Sequence, residues 1–367
     1  MLLAGRSAGV EVWDSLVVGA GQAGLASSYF LRRRGIEHRV LDANPRAGGA
    51  WQHRWESLGM DDVHGVADLP GSEAPQASPL PANVVVPDYF DDYERRHDLP
   101  VLRPVRVSRV DSVGELLVVR TDRGEWRTRT LVNATGTWTR PFVPYYPGID
   151  TFSGEQVHTA DYPGPAHFRG RRVLVVGGGT SAVQHLGELA PVADTLWVTR
   201  REPVWREGFD AAAGLAAVTA VEERVRRGLP PASVVSVTGL ALRPQEQEAA
   251  RLGAYDRLPV FARIEPDGVR WADGRFEAVD AIVWATGFRP ALDHLAPLGL
   301  RSDEGGIALE PVRGNVQGAT TAVRDPRVQL VGYGPSASTV GASRAGRQAA
   351  LAVSRILSSG DAADLSA

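Results

Sequence analysis

A glycine-rich turn between a short apolar strand and a helix lies near the start of the chain, and it limits the possible folds more than any other feature. Residues 14–18 are strand-like, the turn reads Gly19-Ala20-Gly21-Gln22-Ala23-Gly24, and residues 25–34 have helical spacing. A second strand-like run, residues 38–41, ends on Asp42, which lies 18 residues beyond Gly24. This order of strand, turn, helix and strand predicts a Rossmann-type βαβ unit.

The same organisation recurs in the middle of the chain. Residues 173–176 are strand-like, the turn reads Gly177-Gly178-Gly179-Thr180-Ser181-Ala182, and another strand-like run covers residues 195–198. Ala182 stands where the third glycine of the pattern belongs, and a small side chain suffices there for helix and strand to pack closely. The tripeptide Ala-Thr-Gly also occurs twice, at residues 134–136 and 285–287. This repeat predicts an α/β fold with two dinucleotide-binding, Rossmann-like domains.

The first unit has the parts that a dinucleotide diphosphate requires. Gly19, Gly21 and Gly24 bring backbone N–H groups close to a ligand without side chains in the way, and the helix N-terminus adds a favourable dipole. Asp42 stands where an acid would accept hydrogen bonds from ribose hydroxyls. These features favour FAD in the first unit over a glycine turn that only joins a strand to a helix.

The second unit ends its second strand on Thr199-Arg200-Arg201 rather than on an acid. An acid would repel a 2′-phosphate, whereas arginine pairs with it, so this sequence predicts NADPH in preference to NADH. The alternative is that the two arginines are a solvated surface pair. Because a chain with two such units holds two nucleotides that exchange electrons, the sequence predicts a flavin-dependent oxidoreductase that uses FAD and NADPH.

The composition excludes several other classes. The chain has no cysteine, which removes electron transfer through a cysteine pair and cysteine-type zinc sites, and we expect no metal site. A net charge of -3 gives no basic excess for binding nucleic acid. Residues 1–14 lack the pattern of a secretory leader, and the apolar run of residues 16–24 is too short and too rich in glycine to span a bilayer. We therefore expect a cytoplasmic protein with small-molecule partners.

The remaining segments are less regular. Residues 61–87 are rich in proline and predict a long loop, residues 105–132 predict a small antiparallel meander, and residues 203–260 look mostly helical. A last helix is predicted from about residue 340 to residue 357. Ser338 and Thr339 would cap this helix, whose N-terminus would stabilise the negative charge of a reduced flavin.

These segments suggest how the domains are arranged along the chain. We expect a discontinuous FAD domain, residues 1–150 and 288–367, around an inserted NADPH domain, residues 151–287. The helical insertion of the NADPH domain would cover about residues 203–260.

Further motifs in the same order resemble a known family. They are the glycine turns with their Ala-Thr-Gly tripeptides, Asp42 followed by Gly48-Gly49-Ala50-Trp51, residues 152–162 with the pattern Phe-x-Gly-x-x-x-His-x-x-x-Tyr, and residues 285–290. Together they resemble the flavin-containing monooxygenases of class B, close to the plant indole-pyruvate monooxygenase type and to bacterial flavoproteins found beside arsenic-resistance genes. The Baeyer–Villiger relatives have tryptophan in place of Tyr162.

The resemblance implies a reaction. NADPH would reduce FAD, and O2 would form a flavin C4a-hydroperoxide that oxygenates a small-molecule substrate, with a soft nitrogen or sulfur nucleophile favoured over a ketone. The alternatives are an NADPH oxidase or diaphorase, a Baeyer–Villiger-type oxygenase, and a flavin-based redox sensor. The resemblance makes His158 and Tyr162 the candidate catalytic residues, although a role in linking the two domains is favoured over proton transfer.

The predicted cofactor contacts follow from these motifs. For FAD they are Gly19, Gly21, Gln22, Ala23, Gly24, Asp42, Ala43, Gly49, Ala50, Trp51, Val107, Ala134, Thr135, Gly136, Ser338, Thr339 and Val340. For NADPH they are Gly177, Gly179, Thr180, Ser181, Ala182, Arg200, Arg201, Ala285, Thr286 and Gly287.

Overall fold

The structure, a computed structural model, describes residues 11–63, 65–205, 211–231, 240, 242–311, 319–337 and 339–364. The strands are β1 (Val12–Val18), β2 (His38–Leu41), β3 (Val101–Leu102), β4 (Val107–Val113), β5 (Leu116–Thr121), β6 (Gly124–Asn133), β7 (Glu155–His158), β8 (Arg172–Val176), β9 (Asp194–Thr199), β10 (Arg257–Pro259), β11 (Arg263–Glu265), β12 (Gly268–Arg270), β13 (Phe276–Ala278), β14 (Ala281–Trp284) and β15 (Val328–Leu330). The helices are α1 (Gln22–Arg33), α2 (Ala82–Arg96), α3 (Thr180–Leu189), α4 (Ala211–Arg226), α5 (Pro244–Arg251) and α6 (Thr339–Asp364).

The first sheet has the strand order β3-β2-β1-β6-β5-β4, and β15 pairs with the end of β6. Strands β1, β2, β3 and β15 are parallel to their partners, whereas β4, β5 and β6 form the antiparallel meander that the sequence predicts. The register pairs Val18, the last residue of β1, with the last residues of β2 and β6. The residues that follow these strands, Gly19, Asp42 and Ala134, therefore meet at one edge of the sheet.

The second sheet is entirely parallel, with the order β10-β9-β8-β14-β7. Strand β8 is an apolar run because both faces of a parallel sheet are covered. Its last residue pairs with Val198 of β9 and Trp284 of β14, so that Gly177, Thr199 and Ala285 lie together at the carboxyl edge. The α/β fold with two Rossmann-like units is thus confirmed.

The repeated Ala-Thr-Gly tripeptides pack against the two glycine turns. Gly19 has φ +97° and Gly177 has φ +142°, which L side chains rarely adopt. A Cβ atom on Gly19 would lie 2.6 Å from the carbonyl oxygen of Ala134, and one on Gly177 would lie 2.2 Å from that of Ala285. Each tripeptide therefore closes a turn that only glycine can form.

Helix α6 covers α1 through small residues. Ala345, Ala349 and Ala350 are fully buried. A Cβ atom on Gly346 would approach the backbone nitrogen of Ser27 to 2.8 Å, so the two helix backbones lie unusually close. The helix extends beyond its predicted end, but neither it nor any other helix in the described ranges is both long and apolar enough to cross a membrane.

The prediction of an irregular loop over residues 61–87 is wrong for its last six residues, which belong to α2. The chain is irregular only to residue 81, and Pro87 lies inside the helix. Val86, Phe90 and Tyr93 have helical spacing and are fully buried, so their packing outweighs the hydrogen bond that proline removes. The proline ring also packs on Gly48, where a Cβ atom would lie 2.7 Å from its Cγ. The helix therefore supports the Gly48-Gly49 turn.

The region predicted to be mostly helical, residues 203–260, contains α4, α5 and also strand β10. The end of α4 packs on the first unit rather than on the second. Val225 is buried against Gly334, and the backbone N–H of Gly306 donates to the carbonyl of Gly228 at 2.9 Å. This helix therefore contacts the segment that leads into α6.

Candidate functional site

A cavity of about 300 Å³ opens at the carboxyl edge of the first sheet. Four stretches of chain contribute most of its wall: the first glycine turn, residues 42–54, residues 134–139 and the segment that leads into α6. The predicted FAD residues on this wall are Gly19, Gly21, Gln22, Ala23, Asp42, Gly49, Ala50, Trp51, Ala134, Thr135 and Gly136. Residues that are far apart in sequence are thus brought together around one space.

The floor of the cavity is formed by two glycine segments in contact. Gly49 has φ +51°, and a Cβ atom on it would lie 2.7 Å from the Cα of Gly21. Gly21 precedes the first turn of α1 and leaves the N-terminus of that helix accessible. Free N–H groups at a helix N-terminus bind phosphate groups well. Gly24 does not line the cavity, because it faces the carbonyl of Gly19, to which a Cβ atom would approach within 1.8 Å.

Asp42 lies on the cavity wall at the end of β2 and is 3 % exposed. One carboxylate oxygen accepts from the Nδ2 of Asn44 and the other from the Nε of Arg103, both at 3.0 Å. Arg103 also donates two hydrogen bonds of 2.6 Å to Glu94. An ionised carboxylate offers about four acceptor positions, so Asp42 retains capacity to accept from ligand hydroxyls.

Several predicted FAD residues lie elsewhere or outside the described part. Ala43 follows Asp42 but is not on the cavity wall, and Val107 begins β4 and packs against the core of the first sheet. Thr339 and Val340 form the start of α6. Ser338 lies outside the described residues.

A number of residues on the wall were not predicted as cofactor contacts. They are Ala20, Asn44, His53, Arg54, Phe90, Thr137, Trp138, Thr139, Phe288, Gly332, Ser336, Ala337 and Ala342. The Ala-Thr-Gly repeat was a usable signal for two of them. Trp138 and Phe288 each follow one copy of the tripeptide, and their rings stack with centroids 4.8 Å apart. The ends of β6 and β14 therefore meet beside the cavity.

The second glycine turn leaves an open surface at the N-terminus of α3. A Cβ atom on Gly179 would meet nothing within 4 Å, whereas Ala182 is fully buried, as a packing position requires. Thr180 and Ser181 form the partly exposed first turn of the helix. Ala285 closes the turn. The arrangement repeats that of the first unit.

Thr286 and Gly287 hold the connector between the two units rather than the open turn. The hydroxyl of Thr286 donates to the carbonyl of Phe142. The carbonyl of Gly287 accepts from the backbone N–H of Phe142 at 3.0 Å and from the ring of His158 at the same distance.

Arginines surround the end of β9. Arg200 and Arg201 are exposed, and their side chains form no ion pair with the described residues. Arg257, which sequence reasoning did not name, donates to Thr199 Oγ1 and to Glu202, each at 2.7 Å. Because Arg257 is already engaged, Arg200 and Arg201 are the cations available to an anion at this edge.

His158 is held by two backbone groups. Its Nδ1 accepts from the N–H of Ala160 at 3.0 Å, so the proton of the neutral ring is on Nε2, which donates to Gly287. Burial lowers the pKa of His158, and the edge of its ring packs on Phe288 with centroids 5.0 Å apart. Both nitrogens are therefore engaged in joining β7 to the end of β14.

Tyr162 is 4 % exposed and does not line the cavity. Its ring packs against His185 (4.1 Å between centroids), Phe168 (5.7 Å) and Trp55 (5.7 Å). Its hydroxyl lies beside the carboxyl of Glu188 but makes no hydrogen bond of normal geometry with the described residues. Burial, followed by the nearby carboxyl of Glu188, raises the pKa of this tyrosine above its ordinary value.

Glu188 of α3 joins the two units through this aromatic cluster. Its carboxylate accepts from Trp55 Nε1 at 2.7 Å and from Ser57 Oγ at 2.8 Å. Burial raises the pKa of Glu188 and lowers that of the neighbouring His185 to about 3. The bonds connect the helix of the second glycine turn with the chain that follows the cavity segment 42–54.

A metal centre is not evident. Within the described ranges no group of three or more histidine, aspartate or glutamate side chains could hold a metal ion, and the chain has no cysteine.

Comparison with known families places these features in context. The family profile described as pyridine nucleotide-disulphide oxidoreductase matches residues 16–229. The structure of a flavin-containing monooxygenase from Stenotrophomonas maltophilia superposes with a TM-score of 0.80 and 38% sequence identity, over 94% of this chain and 99% of that chain.

More distant relatives agree with this placement. An indole-3-pyruvate monooxygenase of Oryza sativa subsp. japonica is 28% identical over 316 residues, which cover 76% of this chain and 78% of the relative. A cyclohexanone monooxygenase structure has a TM-score of 0.65 at 20% identity, over 95% of this chain and 88% of that chain, which shows a shared fold.

Proposed function

Because this chain belongs to the flavin monooxygenases within the pyridine nucleotide-disulphide oxidoreductase family, we propose that it is an NADPH-dependent monooxygenase. It transfers oxygen from O2 to a small molecule, with a soft nitrogen or sulfur nucleophile favoured. The observation that carries the proposal is the pair of glycine turns, each at the carboxyl end of a parallel strand of its own sheet. The chain ends that follow β6 and β14 meet through Trp138 and Phe288. Without cysteine, the chain offers no thiol pair as an electron acceptor.

The cavity residues fit FAD. A side chain at Gly49 would fill the contact with Gly21, so the absence of side chains there is what leaves room for a diphosphate at the N-terminus of α1. Asp42 would accept hydrogen bonds from ribose hydroxyls with its remaining lone pairs. When bound, FAD accepts hydride from NADPH and passes electrons to O2. Trp51, Trp138 and Phe288 cover the site with apolar surface, which limits the access of water.

The proposed domain arrangement follows the two sheets. The described strands between residues 155 and 284 belong to the second unit, whereas those of residues 12–133 and 328–330 form the first sheet. This supports a discontinuous FAD domain, residues 1–150 and 288–367, and an inserted NADPH domain, residues 151–287. In this arrangement His158 holds the junction, since both its nitrogens bind backbone groups.

Nucleotide preference tests the role of the second unit. Anaerobic stopped-flow reduction of the flavin should be more efficient with NADPH than with NADH. The double replacement Arg200→Gln and Arg201→Gln should shift this preference by about tenfold or more, because a hydrogen bond between charged groups contributes about 1.5–3 kcal/mol. Arg169→Gln, which removes another exposed cation of the same unit, is the control. Equal efficiency with both nucleotides in the unmodified protein would show that the two arginines are only a solvated surface pair.

Product analysis tests the oxygenase reaction. The purified protein should be yellow and release FAD on denaturation. With NADPH and O2, amines and thioethers should give oxygenated products faster than ketones do, and hydrogen peroxide should fall as product rises. If peroxide forms one for one with NADPH consumption whatever substrate is present, the protein is an NADPH oxidase instead. Colourless protein that takes up no added FAD would overturn the assignment of the cavity.

A further inference from the structure

Arg54 is a cation on the cavity wall without a carboxylate to balance it. It follows the 3₁₀ helix Gly49–His53, and its backbone carbonyl is held by Asn83 Nδ2 at 3.0 Å. The Nε atom is buried and has no hydrogen-bond partner, and the guanidinium forms no ion pair within the described part of the chain. Arg54 is partly buried, and a charge withdrawn from water without a counter-ion is costly and needs a compensating interaction.

Two indole rings supply part of that compensation. The guanidinium lies over the ring of Trp138, 4.8 Å from its centroid, and over that of Trp51 at 5.4 Å. Aromatic faces attract cations. Burial lowers the pKa of Arg54 to about 10, which still leaves the side chain positively charged at neutral pH. The chain thus holds a full positive charge at the wall of the cavity.

The cavity wall has no other uncompensated charge among its described residues. Asp42 and Arg54 are its formally charged side chains, and Asp42 is paired with Arg103 at 3.0 Å. Burial, followed by the charge of Arg46, lowers the pKa of His53, so that this ring is neutral at pH 7. The balance of charge therefore requires a negative group on the ligand.

The position of Arg54 indicates which part of FAD supplies this group. The diphosphate is served by Gly21 and the N-terminus of α1, where Gly49 packs. Arg54 lies further along the chain and packs on Trp138, which stacks on Phe288 at the end of the second sheet. This is the side of the cavity that faces the second unit. Hydride from NADPH adds two electrons and one proton to the neutral flavin ring, which leaves one negative charge on the ring.

We propose that Arg54 balances the negative charge that the flavin ring gains on reduction, and that it thereby binds reduced flavin in preference to oxidised flavin. The inference rests on the FAD site of the proposed function and adds a residue that tunes the redox equilibrium. Among the described residues no second cationic side chain lines the cavity, so no other side chain supplies this charge.

Three variants separate charge from shape. Arg54→Met keeps a long side chain between the indoles but removes the charge, and Arg54→Lys keeps the charge. Arg34→Gln removes an exposed cation at the C-terminal end of α1, opposite the end that meets the cavity, and serves as the control. The measurements on each FAD-loaded protein are the affinity for oxidised FAD, the two-electron midpoint potential and the pH at which reduced flavin takes up a second proton.

In Arg54→Met we expect the affinity for reduced flavin, relative to oxidised flavin, to fall by about tenfold, which equals a midpoint potential lower by about 30 mV. The pKa at which reduced flavin takes up its second proton should rise by about one unit, because one pKa unit corresponds to the same free energy as a tenfold change in affinity. Arg54→Lys should keep the midpoint potential close to that of the unmodified protein, and Arg34→Gln should leave it unchanged.

Other outcomes overturn the inference in distinct ways. An unchanged potential in Arg54→Met shows that the charge does not act on the ring, and an equal loss of affinity for both redox states assigns Arg54 to the diphosphate. If Arg54→Lys behaves like Arg54→Met, shape and not charge is responsible. If the unmodified protein binds no flavin, the proposed function itself fails, whereas a flavin-loaded protein with an unaltered potential refutes only the role of Arg54.

Discussion

Replacing Trp55 with phenylalanine tests the hydrogen bond that joins the chain directly after the cavity segment 42–54 to Glu188 of α3. Phenylalanine keeps ring contacts with Tyr162 and His185 but removes the Nε1 donor that lies 2.7 Å from Glu188. Glu188 is 9 % exposed, so bulk water does not replace the donor, and Ser57 remains as its partner at 2.8 Å. A hydrogen bond to a charged group contributes about 1.5–3 kcal/mol, and the free energy of unfolding at pH 8 should fall by this amount.

The pH dependence of this loss distinguishes the hydrogen bond from packing. Burial raises the pKa of Glu188, and removal of a donor raises it further. When the pKa of a carboxyl is higher in the folded than in the unfolded state, the free energy of unfolding falls as the pH rises through the folded pKa, because the folded protein must then carry the charge. The loss on Trp55→Phe should therefore be smaller at pH 5 than at pH 8.

Chemical denaturation at the two pH values provides the assay. Trp126→Phe is the matched control, since the indole N–H of Trp126 donates to no residue in the described ranges. Trp55→Phe could instead lower the free energy of unfolding by the same amount at both pH values, and by no more than Trp126→Phe does. The hydrogen bond to Glu188 would then not stabilise the junction, and only the volume of the ring would matter.

Further predictions concern the second turn, α4 and the aromatic cluster. Gly177→Ala should lower the thermal unfolding temperature, because the added Cβ would lie 2.2 Å from the carbonyl oxygen of Ala285. Gly179→Ala, at an open position, should leave that temperature unchanged. Burial raises the pKa of Glu222 to about 7, so the unmodified protein should lose up to about 3 kcal/mol between pH 4 and pH 8 relative to Glu222→Gln in urea titrations. Tyr162→Phe removes a buried hydroxyl that lies beside Glu188 without a hydrogen bond of normal geometry. Flavin reduction should be unchanged and the free energy of unfolding should not fall; a large loss of turnover would assign Tyr162 to catalysis.

Local sequence patterns predict much of the cavity wall, but they do not predict which groups surround its charged side chains. The glycine turns and Asp42 follow from short-range order, and the register of β1, β2 and β6 brings them to one edge. The partner of Asp42 could not be anticipated, because Arg103 reaches it only when β3 pairs with β2. Trp51 lies only three residues before Arg54, but no local pattern indicates that the distant Trp138 packs on the same guanidinium.

The sequence by itself determined the two βαβ units, because these depend on backbone conformations and apolar periods within about thirty residues. Only the tertiary structure decided that Pro87 lies in a helix, since that depends on the burial of Phe90 and Tyr93 against distant chain. It also decided that Tyr162 is packed away from the cavity and that Arg54 faces it. Contacts of this kind join residues far apart in sequence, and their free energy exists only once both sheets have formed.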